Sequence, residues 1–249
     1  PSSSSHGIRV SGQRAVIAMG DGGVGWVDVF RADKVYLVES HQIPGHVALD
    51  VEPLEPIPGV SEAIAVVGGS IDEDRALVDE DEPSSGTFAL LSRDAQLGLT
   101  TRGSLPIPAS AVEVAGHTAA LAAGSRGVVL VNVSDLDIPV VVSRVENLGD
   151  VHDLALRGDL LFVASHEQGI VLLDIANPSS PRVLRRIPAP VEHITRAVAA
   201  TRSQAVGAAR GPNGNVIFLD QEGIPQTNAM VMAATAGDRV FLRQSQARQ

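Results

Sequence analysis

The sequence predicts an all-β protein built from repeated four-stranded units, and three observations carry that prediction. Residues 151–190 contain four short runs, DLALRG, LLFVAS, IVLLDI and RVLRRI, which are separated by turn residues. The two middle runs are apolar on both faces, as expected for strands whose sheet is covered on both sides. Weaker copies of this unit lie before and after it, so we expect one repeated architecture along the whole chain.

The repeat is defined by aligned positions. Gly12–Met19 aligns with Gly158–Ser165 at an offset of 146 residues, and Gly116 precedes Gly158 by 42 residues. A period near 42 with four strands per unit is typical of a β-propeller blade. We therefore predict an all-β propeller of four-stranded antiparallel blades, with five full blades and a partial sixth.

The predicted organisation is a flexible Ser-rich tail at 1–6 and one propeller domain at 7–249. The blades are expected at 7–42, 43–108, 109–149, 150–190 and 191–227, with the partial blade at 228–249 and an acidic insertion in blade two at 70–85. The last unit repeats only two strands. We therefore expect a continuation of the chain, or a strand from a partner chain, to complete the sixth blade. The alternative is a five-bladed ring that the final strands seal.

Two segments, GVVLVNVSDLDIPVVVS and GIVLLDIANPSSPRVLR, resemble the LVIVD repeat, a propeller-forming repeat found mainly in bacterial and archaeal surface or secreted proteins. The third and fourth copies match its pattern well, the first and fifth in part, and the second is divergent. The resemblance implies the propeller fold and an extracellular or cell-surface location. It implies no catalytic residues, because the family has no shared catalytic motif.

Composition argues against several functional classes. The net charge of −10 disfavours nucleic acid, because phosphate backbones are bound by Lys and Arg. Aromatic residues make up only 3% of the chain, which leaves few side chains for stacking on bases or sugars. There is no apolar run of about 18 residues, so no membrane span is expected. We expect a protein partner.

The acidic insertion contains seven carboxylates within residues 72–82. One interpretation is a solvated loop, which is common for blocks of like charge. The other is a site for calcium or for a basic partner, in which Asp72, Asp74, Asp79 and Asp81 would supply the oxygen ligands that Ca²⁺ prefers. The spacing does not match the EF-hand loop, so both interpretations stay open. Calcium is the one cofactor that the sequence suggests.

Histidines and carboxylates recur at the starts of the predicted innermost strands. The candidates are His46, Asp50, His152, Asp153, Glu192 and His193. In a propeller these strand starts surround one mouth of the central channel. A histidine–carboxylate pair there could bind a metal or act as an acid–base pair. The structural alternative is a hydrogen bond from each histidine to a neighbouring loop of its own blade.

Two further expectations concern packing and turns. Leu172 and Leu173 should point to opposite faces of blade four and both be buried, since blades pack on both sides. The polar residue that ends each third strand should accept backbone N–H bonds and so fix the next turn. This residue is Asp28, Asn132, Asp174 or Asp220 in successive recognisable copies.

The function that the sequence favours is a non-catalytic β-propeller scaffold that binds a protein partner, in a secreted or cell-surface protein. No H-E-x-x-H or G-x-S-x-G motif is present, and no catalytic residue is assigned. The alternative is a metal-dependent enzyme, or a small-ligand site, at the mouth of the central channel.

Overall fold

The computed structural model describes residues 7–11, 13–30, 34–57, 60, 62–70, 86–94, 98–166, 168–188, 194–200, 205–210, 216–219, 225–226, 232–236 and 239–243. Across these residues all regular structure is β, and no helix is present that could cross a membrane. The predicted tail, most of the acidic insertion with its four candidate calcium ligands, and Glu192 and His193 lie outside the described residues.

The described strands form five antiparallel sheets of four strands each and one sheet of two. The first sheet comprises β1 (Ile8–Ser11), β2 (Arg14–Ala18), β3 (Val24–Asp28) and β4 (Tyr36–His41). The second comprises β5 (His46–Pro53), β6 (Glu62–Ser70), β7 (Gly86–Asp94) and β8 (Gly98–Leu105). The third comprises β9 (Ala111–Ala115), β10 (Thr118–Ala122), β11 (Val128–Asn132) and β12 (Val140–Val145).

The fourth sheet comprises β13 (Val151–Arg157), β14 (Leu160–Ser165), β15 (Gly169–Asp174) and β16 (Arg182–Ile187). The fifth comprises β17 (Ile194–Ala200), β18 (Ala205–Arg210), β19 (Val216–Leu219) and β20 (Pro225–Gln226). The two-stranded sheet is β21 (Met232–Ala236) and β22 (Arg239–Arg243). In each four-stranded sheet the strands pair in chain order. The predicted blades, five full and one partial, are therefore confirmed.

Consecutive blades share their hydrophobic cores, as blades of a propeller do. Separate clusters of buried side chains join blades one and two, two and three, three and four, and four and five. Leu173 belongs to the cluster with blade three, whereas Leu172 belongs to the cluster with blade five. Both side chains are buried, so the prediction of two-sided packing is confirmed.

The recurring polar residue that ends the third strand acts as predicted wherever it is described. Asp28 accepts a hydrogen bond from the backbone N–H of Phe30, at 2.8 Å. Asn132 accepts one from Ser134 at 2.9 Å, and Asp174 one from Ala176 at 3.0 Å. These side chains start the turn that leads to the fourth strand. Asp220 lies outside the described residues.

The glycines that precede the third strands of blades one and three are required for steric reasons. Gly23 and Gly127 adopt φ of 75° and 78°, a region that other residues rarely enter. A Cβ at Gly23 would lie 2.2 Å from the carbonyl oxygen of His41, and one at Gly127 would lie 2.1 Å from that of Val145. The fourth strand of the blade thus approaches the backbone at a distance that only glycine permits.

The first strands of blades one to five contact one another in succession, β1 with β5, β5 with β9, β9 with β13 and β13 with β17. We call this row of strands the inner edge. The fourth strands of blades one to four, β4, β8, β12 and β16, lie at the opposite end of each sheet and are called the outer strands. The inner edge carries the charged residues Arg9, Asp50, Glu52, Glu113 and Asp153.

Candidate functional site

Two of the predicted channel residues, Asp50 and Asp153, connect adjacent blades. Each follows a β-bulge near the start of its strand. Asp50 Oδ2 accepts a hydrogen bond from the backbone N–H of Val112 in the next blade, at 3.0 Å. Asp153 Oδ2 accepts the corresponding bond from Val198, at 2.9 Å, and its Oδ1 accepts one from the N–H of Leu154. The two carboxylates therefore satisfy backbone donors that the next inner-edge strand leaves unpaired.

A cluster of charged side chains surrounds Arg9 on the inner edge. Arg9 Nε donates to Glu52 Oε2 at 2.5 Å, and Arg9 Nη2 donates to Glu113 Oε1 at 3.1 Å. Arg9 Nη1 lies 3.7 Å from Asp50 Oδ1. We call Arg9, Asp50, Glu52 and Glu113 the inner-edge cluster. One guanidinium thus links three blades, and three carboxylates share a single cation.

The inner-edge cluster has strongly perturbed acidities. Burial, reinforced by the charge of Glu52, raises the pKa of Glu113 to about 8, although Arg9 opposes the shift. Burial likewise raises the pKa of the adjacent Asp153 to about 7. Burial also raises the pKa of Glu52. For Arg9, burial would lower the pKa, but the three carboxylates of the cluster outweigh it and raise the pKa. The cluster can therefore hold a proton near neutral pH.

The raised pKa of Glu113 predicts a pH-dependent stability. The folded state binds the proton more tightly than the unfolded chain between the ordinary value of 4.5 and about 8. The stabilisation that this bound proton provides is complete below pH 4.5 and is lost as the pH rises through about 8. We expect the free energy of unfolding to fall as the pH rises over this interval. The Glu113→Gln variant should show a smaller fall. Urea titrations at several pH values measure both. Glu146→Gln, at an exposed position, is the control and should leave the slope unchanged.

Sequence reasoning found Asp50 but missed Arg9, Glu52 and Glu113. A signal was present in the repeat register, because Arg9 stands three residues before Gly12 and Glu113 three residues before Gly116. The alignment gives Arg9 and Glu113 equivalent positions in blades one and three, which are not consecutive, so it marks two related residues of opposite charge without predicting their contact. Glu52 is not followed by a glycine at this spacing, so only the structure shows that it belongs to the cluster.

A second group of side chains forms where blade four begins. Asp150 precedes β13, His152 is the bulged residue of β13, and His166 directly follows β14. His152 Nε2 lies 3.1 Å from Asp150 Oδ2, and the two imidazole rings are 5.0 Å apart with a tilt of 39°. One ligand-type atom from each of the three residues lies within 4.8 Å of the others. We call Asp150, His152 and His166 the His–Asp group.

Of the six predicted channel residues, three are thus in charged surroundings that the structure describes: Asp50, His152 and Asp153. His46 is half-buried, its Nδ1 lies 2.9 Å from the carbonyl oxygen of Pro44, and it lines an open cleft between blades one and two. It does not join the His–Asp group, which is the only set of three potential metal ligands among the described residues. His166 was not predicted, and no local motif indicates it.

The architecture and the buried contacts between blades define a propeller-like, all-β protein. The family model of the LVIVD repeat matches residues 148–187, which comprise blade four and the turn before it. The predicted resemblance is therefore confirmed over this segment. Comparison of the chain with curated proteins finds no significant match.

Proposed function

We propose that this chain is a non-catalytic propeller domain that binds a partner protein through the edge of β4, and that it does so outside the cell or at the cell surface. The LVIVD repeat of blade four supports the proposed location, because such repeats occur mainly in surface or secreted proteins. The observation that supports partner binding is the outer strand of blade one. Its residues Tyr36, Leu37 and Val38 are 57%, 52% and 45% exposed. Phe30 and Val35, which precede the strand, are exposed as well.

The other outer strands differ from β4 in charge. Exposed strand edges are commonly protected by charged side chains, which discourage pairing with another strand. β16 carries exposed arginines at 182, 185 and 186 and β12 carries Arg144, whereas Arg102 of β8 is paired with Asp137. The one charged residue of β4, Glu39, is bound within the chain by Arg93 and by the backbone N–H of Leu99. β4 is therefore an apolar edge without the usual protection.

The occupant that fits this edge is an extended, uncharged segment of a partner with alternating apolar side chains. Among the described strands β4 pairs with β3 alone, so its other edge offers backbone donors and acceptors to an added strand. Addition of a strand to a sheet edge obtains its affinity from main-chain hydrogen bonds and its selectivity from alternate side chains. The exposed apolar side chains on both faces of β4 would pack beside the side chains of the added strand.

Fluorine NMR can test this proposal directly, because Tyr36 is the only tyrosine of the chain. Incorporation of 3-fluorotyrosine gives a single resonance within the proposed edge. We expect a short peptide of alternating valine and threonine to shift that resonance in a saturable manner. The same peptide with alternate backbone nitrogens methylated should not, because it cannot donate the required hydrogen bonds.

A pair of valine substitutions supplies the matched control. Val38→Lys places a charge on the β4 edge and should abolish the shift. Val183→Lys places the same charge on β16, at a similarly exposed position, and should leave the shift intact. Equal shifts with the methylated and unmethylated peptides, or no saturable shift with either, would contradict binding at this edge.

A further inference from the structure

We propose that the His–Asp group is a binding site for a divalent transition-metal ion, with Zn²⁺ as the best-matched ion. The sequence suggested calcium in the acidic insertion and a mixed set of histidines at the channel mouth. The site proposed here shares only His152 with those candidates and adds Asp150 and His166. It is also independent of partner binding at β4, since the two involve different blades.

The spacing of the three residues suits a metal with short bonds. Zinc binds histidine nitrogen and carboxylate oxygen at about 2.0–2.2 Å, so tetrahedral ligands lie roughly 3.3 Å from one another. The pair His152 Nε2 and Asp150 Oδ2 is already at 3.1 Å, and all three ligand atoms lie within 4.8 Å. The His166 ligand atom, within 4.8 Å of the other two, has to approach them further to reach the spacing of tetrahedral ligands.

The backbone around the site is held by the strands that meet there. The N–H of His166 donates to the carbonyl oxygen of Asp150 at 2.9 Å, which fixes the two ends of the group relative to each other. The carbonyl oxygen of His152 accepts from Ser110 Oγ at 2.7 Å, across the interface with blade three. The bulge at His152 interrupts the pairing of β13 with β14 at this residue. The three residues are thus positioned by contacts that no metal is needed to form.

Two polar atoms of the group are buried and without a hydrogen-bond partner in the described part of the chain. These atoms are His166 Nε2 and Asp150 Oδ1. Buried polar atoms nearly always have a partner, so two in one group call for an explanation. A metal ion bound at this position would satisfy the imidazole nitrogen directly and would take up the carboxylate charge.

The ligand types select the class of metal. Two imidazole nitrogens with one carboxylate match zinc and its neighbours, whereas calcium requires six to eight oxygen ligands. Three protein ligands would leave the fourth position of a tetrahedral ion open to water or to a group from another molecule. The chain contains no cysteine, so none of its side chains can supply a thiolate ligand.

The test uses the full chain without an affinity tag. Isothermal titration with Zn²⁺ should show one saturable equivalent, and nitrogen-15 spectra of the imidazole rings should show shifts at His152 and His166 while His117 and His46 stay unchanged. Co²⁺ in place of Zn²⁺ should give the visible absorption of a four- or five-coordinate ion. His166→Ala should weaken Zn²⁺ binding by more than about tenfold, because even outer-shell changes cost 10- to 100-fold.

His117→Ala is the matched control, since this histidine is exposed on the turn between β9 and β10. The His117→Ala variant should bind Zn²⁺ with the same affinity as the unaltered chain. Equal affinities for His166→Ala and His117→Ala would overturn the proposal, as would saturation that shifts other histidines in preference to these two. The imidazole spectra need only the unaltered chain, so a substitution that prevents folding would not remove the test.

Discussion

Replacement of Leu173 by alanine is expected to lower the free energy of unfolding by about 2–5 kcal/mol. Leu173 is fully buried in the cluster shared by blades three and four, which also contains Val128 and Leu130 of blade three. Truncation removes buried methyl groups and leaves a cavity that two packed sheets cannot close without separating from their other neighbours. Urea unfolding followed by Trp26, the single tryptophan, measures the change.

Leu184→Ala is the matched control for this substitution. Leu184 lies on the outer strand of the same blade and is 51% exposed, so the same change of side chain should alter stability by less than about 0.5 kcal/mol. A loss below about 1 kcal/mol for Leu173→Ala would show that the blade interfaces are loose and would contradict the shared cores between blades.

Arg9→Met is expected to destabilise the protein by about 3–5 kcal/mol above about pH 8, where Glu113 is ionised together with Asp50 and Glu52. The substitution keeps most of the side-chain volume but leaves three carboxylates of two adjacent blades without their cation. Removal of one partner from a largely buried ion pair costs more than the pair contributes, since the remaining charges stay desolvated. The loss should shrink as pH falls, because Glu113 and Glu52 can then bind protons and their mutual repulsion disappears.

The control for Arg9 is Arg14→Met on the neighbouring strand. Arg14 pairs with Glu62, but its side chain is more exposed than that of Arg9, so its loss should cost less than about 1 kcal/mol. Unfolding of both variants in urea at two pH values separates the charge effect from the packing effect. An Arg9→Met loss that does not change between acidic and alkaline conditions would show that the arginine stabilises by packing alone.

The sequence by itself was sufficient to predict the blades and the turns within them. The spacing of Gly12, Gly116 and Gly158 established the period, and the polar residues Asp28 and Asn132 were correctly interpreted as fixing the turns that follow. These features depend on interactions within a few residues of the chain, and each blade repeats them. Burial on both faces of β15 was equally predictable, because its segment Ile170–Leu173 has no polar residue and hence no solvated face.

Tertiary structure alone decided which charged groups meet. Arg9 contacts Glu52 and Glu113 across 43 and 104 positions of the chain, distances at which no local pattern links two residues. The His–Asp group depends in the same way on a β-bulge, which changes the direction of one side chain relative to its neighbours. His152 was predicted as a candidate but with other partners, and His166 was not predicted. The periodic pattern determines which residues form strands, whereas the contacts between blades and the bulges determine which side chains share a site.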